Sequence, residues 1–392
     1  MGGPVSFLDS NLDAPPAAAR PLFPSMFLGG FECSTKLRAD GRRLDLIAAT
    51  GHDRAAHNDY GLLRRHGIAA ARDGLRWHLI ETAPGRYDWS SALPLLRAAR
   101  EAKVRVVWDL CHYGWPADID IWSGAFIDRF SRFAAAAARV VAAESGATPF
   151  FCTVNEISFW AYAGGETGQF APATRGRGNE LKRQLARASI AATAAVRAVA
   201  PDARFIHAEP AIHIDPGAAN ADERVFCEHY RRAQFEALDM IAGRLAPELG
   251  GAPEHLDIVG VNFYPDNQWY LHGGTIPLGH HAYRPLRDLL GEYHARYGRP
   301  MILAETGAEG TARPAWLHYV CGEARAARRA GVPLEAVCLY PILDYPGWHN
   351  DRTCPVGLFS LPDAAGRRAT DPDFADELER QRLLFAQTAP AR

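Results

Sequence analysis

No run of this sequence approaches 18 uninterrupted apolar residues, so no membrane-spanning helix is expected. Neither sign of charge dominates. Lys and Arg number 43 against 45 Asp and Glu, and the net charge of -2 offers no bulk attraction to nucleic acid or to an acidic membrane surface. No CxxC pair occurs, and the seven cysteines, an odd number, sit partly inside apolar runs. A disulfide framework is therefore not expected, and reduced core thiols in a cytoplasmic protein are. The N-terminus lacks the basic-then-apolar order of a secretory signal. Residues 1–24 are rich in Pro, Ala and Gly and are expected to form an extended arm. Tight metal-ligand motifs such as HxH or HExxH are missing, and no cofactor is expected.

What remains is a chain of 392 residues with 48% hydrophobic and 22% charged content, enough for a large buried core. Short apolar runs alternate with longer amphipathic ones from residue 26 onward. Strands are expected at 26–32, 69–77, 104–111, 150–156, 203–209, 256–264, 301–305 and 336–342. Helices are expected at 52–66, 90–103, 125–144, 180–200, 219–245, 282–297, 315–330 and 373–387. Eight strands and eight helices in strict alternation imply parallel strands joined by right-handed crossovers, which close as a single (β/α)8 TIM barrel over residues 25–392. The longest irregular stretches (157–178, 210–218, 265–281 and 344–371) all follow strands, the side on which such barrels build their sites.

Chemistry gathers at the strand tips. Strand 2 ends in Arg76, Trp77 and His78; strand 3 in Asp109, His112 and Tyr113; strand 4 in Asn155 and Glu156. Strand 5 carries His207 and Glu209, strand 6 ends in Asn262 and Tyr264, strand 7 in Glu305, and strand 8 leads to Trp348. Strands 4 and 7 face one another across an eight-stranded barrel, so Glu156 and Glu305 form a candidate carboxyl pair. Glycosidic bond cleavage needs such a pair, one acid to protonate the leaving oxygen and one carboxylate across the sugar. A separation of about 5–5.5 Å goes with retention and a wider one with inversion. Arg76 is expected to keep Glu305 ionised and Tyr264 to donate to it. Asn155 is expected on a sugar hydroxyl, and Trp348 and Trp77 as flat faces for a ring. Each has a plainer alternative: Arg76 as a buried ion-pair partner, Tyr264 as a capped core residue, Trp77 as packing.

These residues resemble those of the family 1 glycoside hydrolases, the β-glucosidase group of the retaining (β/α)8 enzymes. Thr153, Val154, Asn155 and Glu156 are similar to that family's T-x-N-E-P acid/base motif, with Ile157 in place of Pro. The stretch 162–172 resembles its G-Y-x-x-G-x-x-A-P-G loop, and 111–116 its Y-H-W-D-L-P segment, which implies that His112 touches the sugar. Asn262, Phe263 and Tyr264 resemble its N-Y-Y, and residues 302–307 its I-T-E-N-G nucleophile motif, with Thr306 in place of Asn. The resemblance runs in order from about Phe27 to Phe359. It implies a retaining β-glycosidase, with Glu156 as acid/base and Glu305 as nucleophile, acting on a carbohydrate or glycoside. Two departures bear on the sugar. Gly347 stands where the family has a hydroxyl-gripping Glu, and the early sugar-gripping Gln has Glu32 or Ser34 as its nearest counterpart.

Two other classes compete. A metal-dependent barrel enzyme would draw ligands from His78, Asp109, His112, His207, Glu209 and His213. A non-catalytic carbohydrate binder would explain the altered pocket but not the retention of both carboxylates.

Overall fold

Parallel strands close the barrel in the expected order. A computed structural model describes residues 21–38, 40–217 and 220–387. The barrel strands are β1 (Phe27–Gly30), β2 (Ala70–Gly74), β3 (Arg105–Asp109), β4 (Phe150–Cys152), β5 (Arg204–Pro210), β6 (Ile258–Asn262), β7 (Met301–Thr306) and β8 (Leu334–Leu339). Each pairs in parallel with its sequence neighbours, and β1 pairs with β8 (Phe27 opposite Val337) to complete the ring.

Side-chain alternation explains why the sequence folds this way. Leu28, Ala70, Val107, Phe150, Cys152, Ile206, Ala208, Ile258, Ile302, Ala304, Ala336 and Cys338 share the barrel interior. Their odd-even neighbours, such as Phe27, Ala71, Trp108, Phe151, Phe205, Val259 and Leu303, belong to the layer beneath the helices. Strands buried on both faces read as continuous apolar runs, as these do. The outer helices carry the matching stripe. Gly124–Ser145 buries Phe126, Phe130, Phe133, Ala134, Ala137 and Val141 on one side and stops at Gly146, whose φ of 64° suits the left-handed cap.

Several expected elements differ in detail. The helix expected at 219–245 divides into Ala221–Arg232, a 3-10 turn at Ala233–Phe235 and Glu236–Ile241; residues 218 and 219 lie outside the described residues. The strand expected at 69–77 stops at Gly74, and Trp77–Ile80 is a turn of helix, which carries Arg76, Trp77 and His78 out of the barrel mouth. Small two-stranded sheets were not foreseen; His213–Asp215 pairs with Gln268–Tyr270 beside the mouth. The expected N-terminal arm lies outside the described residues up to residue 20. Just beyond it, Phe23 packs on Phe150 with ring centroids 5.1 Å apart, among the barrel-interior residues. All seven cysteines are buried and unpaired, as their spacing implied. Among the described residues no helix is long and apolar enough to cross a membrane.

Candidate active site

The C-terminal mouth of the barrel opens into a cavity of about 1310 Å³. Glu32, His112, Tyr113, Glu156, Tyr264, Glu305 and Trp348 line its polar end, and Tyr162, Phe226, Tyr230 and Trp269 its aromatic end. That volume lies above the usual range for a small-molecule pocket.

Arg72 organises the floor. It points inward on β2 two residues after Ala70 and is 1% exposed. Its guanidinium spans four strands. Nε and Nη2 donate to the two Asp109 carboxylate oxygens at 2.9 and 2.7 Å. Nη2 donates to Asn155 Oδ1 at 2.6 Å, and Nη1 to Glu305 Oε1 at 2.7 Å. Tyr264 donates its hydroxyl to the other Glu305 oxygen at 2.8 Å. Both Glu305 oxygens are therefore held by donors, one of them a cation.

Glu156 is held differently. Tyr113 Oη donates to Oε2 at 2.6 Å and Asn262 Nδ2 to Oε1 at 2.8 Å, both neutral groups. Its backbone sits at φ 43°, ψ 62°, and Tyr113 beside it is at φ 64°. Two non-glycine residues in the left-handed region cost on the order of 1 kcal/mol or more each, and such strain tends to collect where a side chain must be aimed. The Glu156 N–H donates to Ala208 O at 3.0 Å, which anchors that turn on β5.

Burial pushes both carboxyls up to about 7. Against this, Arg72 pulls Glu305 back toward ionisation, while the charge of Glu156 raises it. The Tyr113 and Asn262 hydrogen bonds lower Glu156, and the charge of Glu209 raises it.

The structure reassigns several expected residues. Arg76 does not reach Glu305: its Nη1 lies 3.2 and 3.3 Å from Asp53 and Asp45, outside the mouth, because the chain turns helical after Gly74. Arg72 makes the contact with Glu305 that was expected of Arg76. Trp77 is fully buried, donates to Glu81 at 2.8 Å and packs on Phe126, Phe130 and Phe133, so it is packing. Asn155 is also drawn inward. Its Oδ1 accepts from Arg72, and its Nδ2 donates to His112 Nε2 at 2.9 Å and to Tyr113 Oη at 3.0 Å. This completely buried amide links the two halves of the site rather than facing the cavity. Asn262, equally buried, orients Glu156. His112 does line the cavity; its Nδ1 donates to Asp109 Oδ2 at 2.9 Å, which leaves Nε2 as the acceptor for Asn155. Trp348 lines the cavity as expected, and Tyr264 reaches Glu305. Glu32 lies in the cavity wall and accepts from the Ser34 N–H at 2.9 Å.

The other carboxylates and the expected metal ligands fall elsewhere. Glu309 is half exposed and paired with Arg352. Glu209, on the outward face of β5, accepts from the Ser158 N–H at 3.1 Å beneath the short helix that follows Glu156. His207 donates to His255 O at 3.0 Å outside the barrel interior, and His213 belongs to the small sheet. Only Asp109 and His112 of the expected set come together, with Cys33. Asp109 there is already bridged by both arms of the Arg72 fork, whose positive charge opposes a second cation at the same oxygens.

Glu209 was singled out in the sequence without its role. Its charge raises the Glu156 carboxyl, so removing the charge must lower it. Glu209→Gln is therefore expected to move the alkaline limb of the kcat/KM profile to lower pH and leave the acidic limb in place. A pH-rate profile of the variant checks this.

No protein-family model matches the chain, and no curated protein matches it. Solved structures do. An AHE enzyme from Alicyclobacillus herbarius superposes with a TM-score of 0.74 at 18% identity, covering 94% of this chain and 98% of that one. The family 1 β-glucosidase of Thermotoga maritima superposes with a TM-score of 0.73 at 14% identity, covering 91% of this chain and 98% of that one. The same organism's β-glucosidase in complex with glucoimidazole gives 0.72 at 15%, over 93% and 98%. The fold is thus a (β/α)8 barrel of the type found in family 1 β-glucosidases, at low sequence identity.

Proposed function

We propose that the protein is a retaining β-glycosidase that works by double displacement. The observation that carries this reading is the contrast between two buried carboxyls at one barrel mouth. Glu305 is held by a guanidinium and a phenol, and Glu156 by neutral donors alone. The first environment suits a nucleophile that must be ionised, the second an acid that must keep its proton.

In the first step Glu156 gives its proton to the leaving oxygen as the Glu305 carboxylate attacks the anomeric carbon. The C–O bond to the leaving group breaks, and an ester to Glu305 forms with inverted configuration. The negative charge on Glu305 is lost in that ester, so the Glu156 carboxyl becomes more acidic and remains ionised. In the second step Glu156 takes a proton from water, the water oxygen attacks the anomeric carbon, and the ester breaks. A second inversion restores the original anomer. Arg72 and Tyr264 are placed to take up the charge that returns to Glu305 in this step.

The chemistry needs no metal, and turnover of aryl β-glycosides is expected to be unchanged after incubation with a strong chelator. Loss of activity that returns on adding a divalent metal would instead favour a metal-dependent barrel enzyme. The assignment of Glu156 is tested with Glu156→Ala. Substrates with a poor leaving group should slow by about 10²–10⁴-fold, the usual contribution of general acid catalysis. Substrates with an activated nitrophenolate should slow far less in their first step, because they need no proton. Equal slowing of both classes would remove Glu156 from the acid role.

A further inference from the structure

Glu156 owes its aim to a backbone that few residues adopt, at φ 43° and ψ 62°, and the turn of helix Ile157–Trp160 begins directly after it. A residue at such a start ordinarily turns its own side chain back to accept from the N–H two or three positions on. Glu156 does not. Its carboxyl points the other way, to Tyr113 and Asn262. The acceptor comes instead from a different strand. Glu209, on the outward face of β5 and 1% exposed, takes the Ser158 N–H on its two carboxyl oxygens at 3.1 and 3.3 Å.

The end of β5 holds this turn at successive residues. Ala208 O accepts the Glu156 N–H at 3.0 Å, Glu209 accepts the Ser158 N–H, and the Ala211 N–H, just past the strand, donates to Asn262 O at 3.0 Å. Asn262 in turn donates its amide to Glu156 at 2.8 Å. The far end of the turn is fastened separately, by Trp160 Nε1 on Ala171 O at 2.9 Å. Loss of the Glu209 contact therefore frees the near end, where Glu156 sits, and leaves the far end in place. Burial pushes the Glu209 carboxyl up to about 7, and the Ser158 bond and the Lys182 ammonium draw it back. Lys182, on the helix Gly178–Arg197, is itself paired with Glu236 at 2.6 Å. The other groups that feel the charge of Glu209 are Glu156 and the Tyr293 phenol, on the helix Leu286–Tyr297. A buried carboxyl is a costly brace for one turn of chain, which points to a task beyond bracing.

We propose that Glu209 is the positioning residue of the general acid. It caps the turn after Glu156 from β5, and so leaves the Glu156 side chain free to project into the cavity while its left-handed backbone stays fixed. The proposal rests on the glycosidase reading and adds to it a third carboxyl that never touches the sugar. Glu209 acts on the reaction through the direction in which Glu156 presents its proton.

The test measures kcat/KM, which reports the first step, for aryl β-glycosides with poor and with activated leaving groups. Wild type, Glu209→Ala, Glu209→Gln and Glu209→Asp are each read on the plateau of their pH profile, so that a shifted titration does not enter. Glu209→Ala removes the acceptor. Poor leaving groups should slow by about 10–100-fold, the scale of an ångström-sized misplacement. Activated nitrophenolates need no proton and should slow far less. Glu209→Gln keeps an oxygen for the Ser158 N–H and should keep the wild-type ratio of the two classes. Glu209→Asp keeps the charge but ends one methylene short, so it should share the selective loss, and it decides the matter if Glu209→Ala fails to fold. Equal slowing of both classes, which a purely structural brace predicts, overturns the proposal. So does the absence of any slowing, or a Glu209→Gln as selective as Glu209→Ala. A wild type that cleaves no aryl glycoside overturns the glycosidase reading and this role with it, whereas cleavage with an unselective Glu209→Ala overturns this role alone.

Discussion

Glu305→Gly is expected to lower turnover of aryl β-glycosides by at least about 10⁴-fold, or about 5.5 kcal/mol of transition-state stabilisation. The carboxylate is the only group on Arg72 Nη1 and Tyr264 Oη that could attack the anomeric carbon, and no other carboxylate shares those donors. Glu309 is turned to Arg352, and Glu209 lies beneath the short helix after Glu156, so neither replaces it. The variant should fold, because Arg72 keeps both bonds to Asp109 and one to Asn155. A second readout separates loss of the nucleophile from general damage. With the negative charge gone, the Glu156 carboxyl should titrate below its value of about 7, visible by carbon NMR of labelled side chains. Turnover at the wild-type rate would end the assignment.

Arg72→Met should damage both stability and catalysis. The substitution keeps length and burial but leaves Asp109 without its fork and Glu305 with only a phenol. Removing one partner of a buried ion pair costs about 3–5 kcal/mol, because the remaining charge has no water to return to. Equilibrium unfolding in urea should show the midpoint falling by a corresponding amount. In whatever fraction folds, the Glu305 carboxyl loses the pull that keeps it ionised, so the acidic limb of the kcat/KM profile should move to higher pH. The magnitude of kcat should fall about 10²–10³-fold, the cost of removing one fixed donor from a developing charge. Arg76→Met is the matched comparison. That side chain binds Asp45 and Asp53 outside the mouth, so both pH limbs should stay where they are. The reverse pattern, with Arg76 shifting the acidic limb and Arg72 silent, would contradict the geometry.

The contrast between these two arginines shows where sequence pattern carries information. Alternation placed the barrel strands and delivered Glu156, Asn262, Tyr264 and Glu305 to one mouth, because each follows a run buried on both faces. The same alternation marks Arg72, two residues beyond the inward Ala70. Reading the strand as far as Trp77 hid it, since the turn to helix depends on contacts made elsewhere: a Cβ at Gly74 would stand 2.5 Å from Cys33 Cβ. Asn155 was legible as a strand-tip amide, but its commitment to Arg72 and His112 depends on three strands meeting. Glu209 was visible as a carboxylate near the site, yet two-residue alternation leaves open which face is inside when both are buried. Lys36 gave no signal at all. A lysine in a loop reads as solvated, and only the packing of Trp348 and Phe170 around it shows otherwise.

The two buried acids make one claim that can be read in a single measurement. Aryl β-glycosides are mixed with the full chain, and the anomer of the first free sugar is followed by proton NMR before mutarotation. Double displacement through Glu305 predicts that the β-anomer appears first. Appearance of the α-anomer first, or no release from any member of the panel, would contradict it.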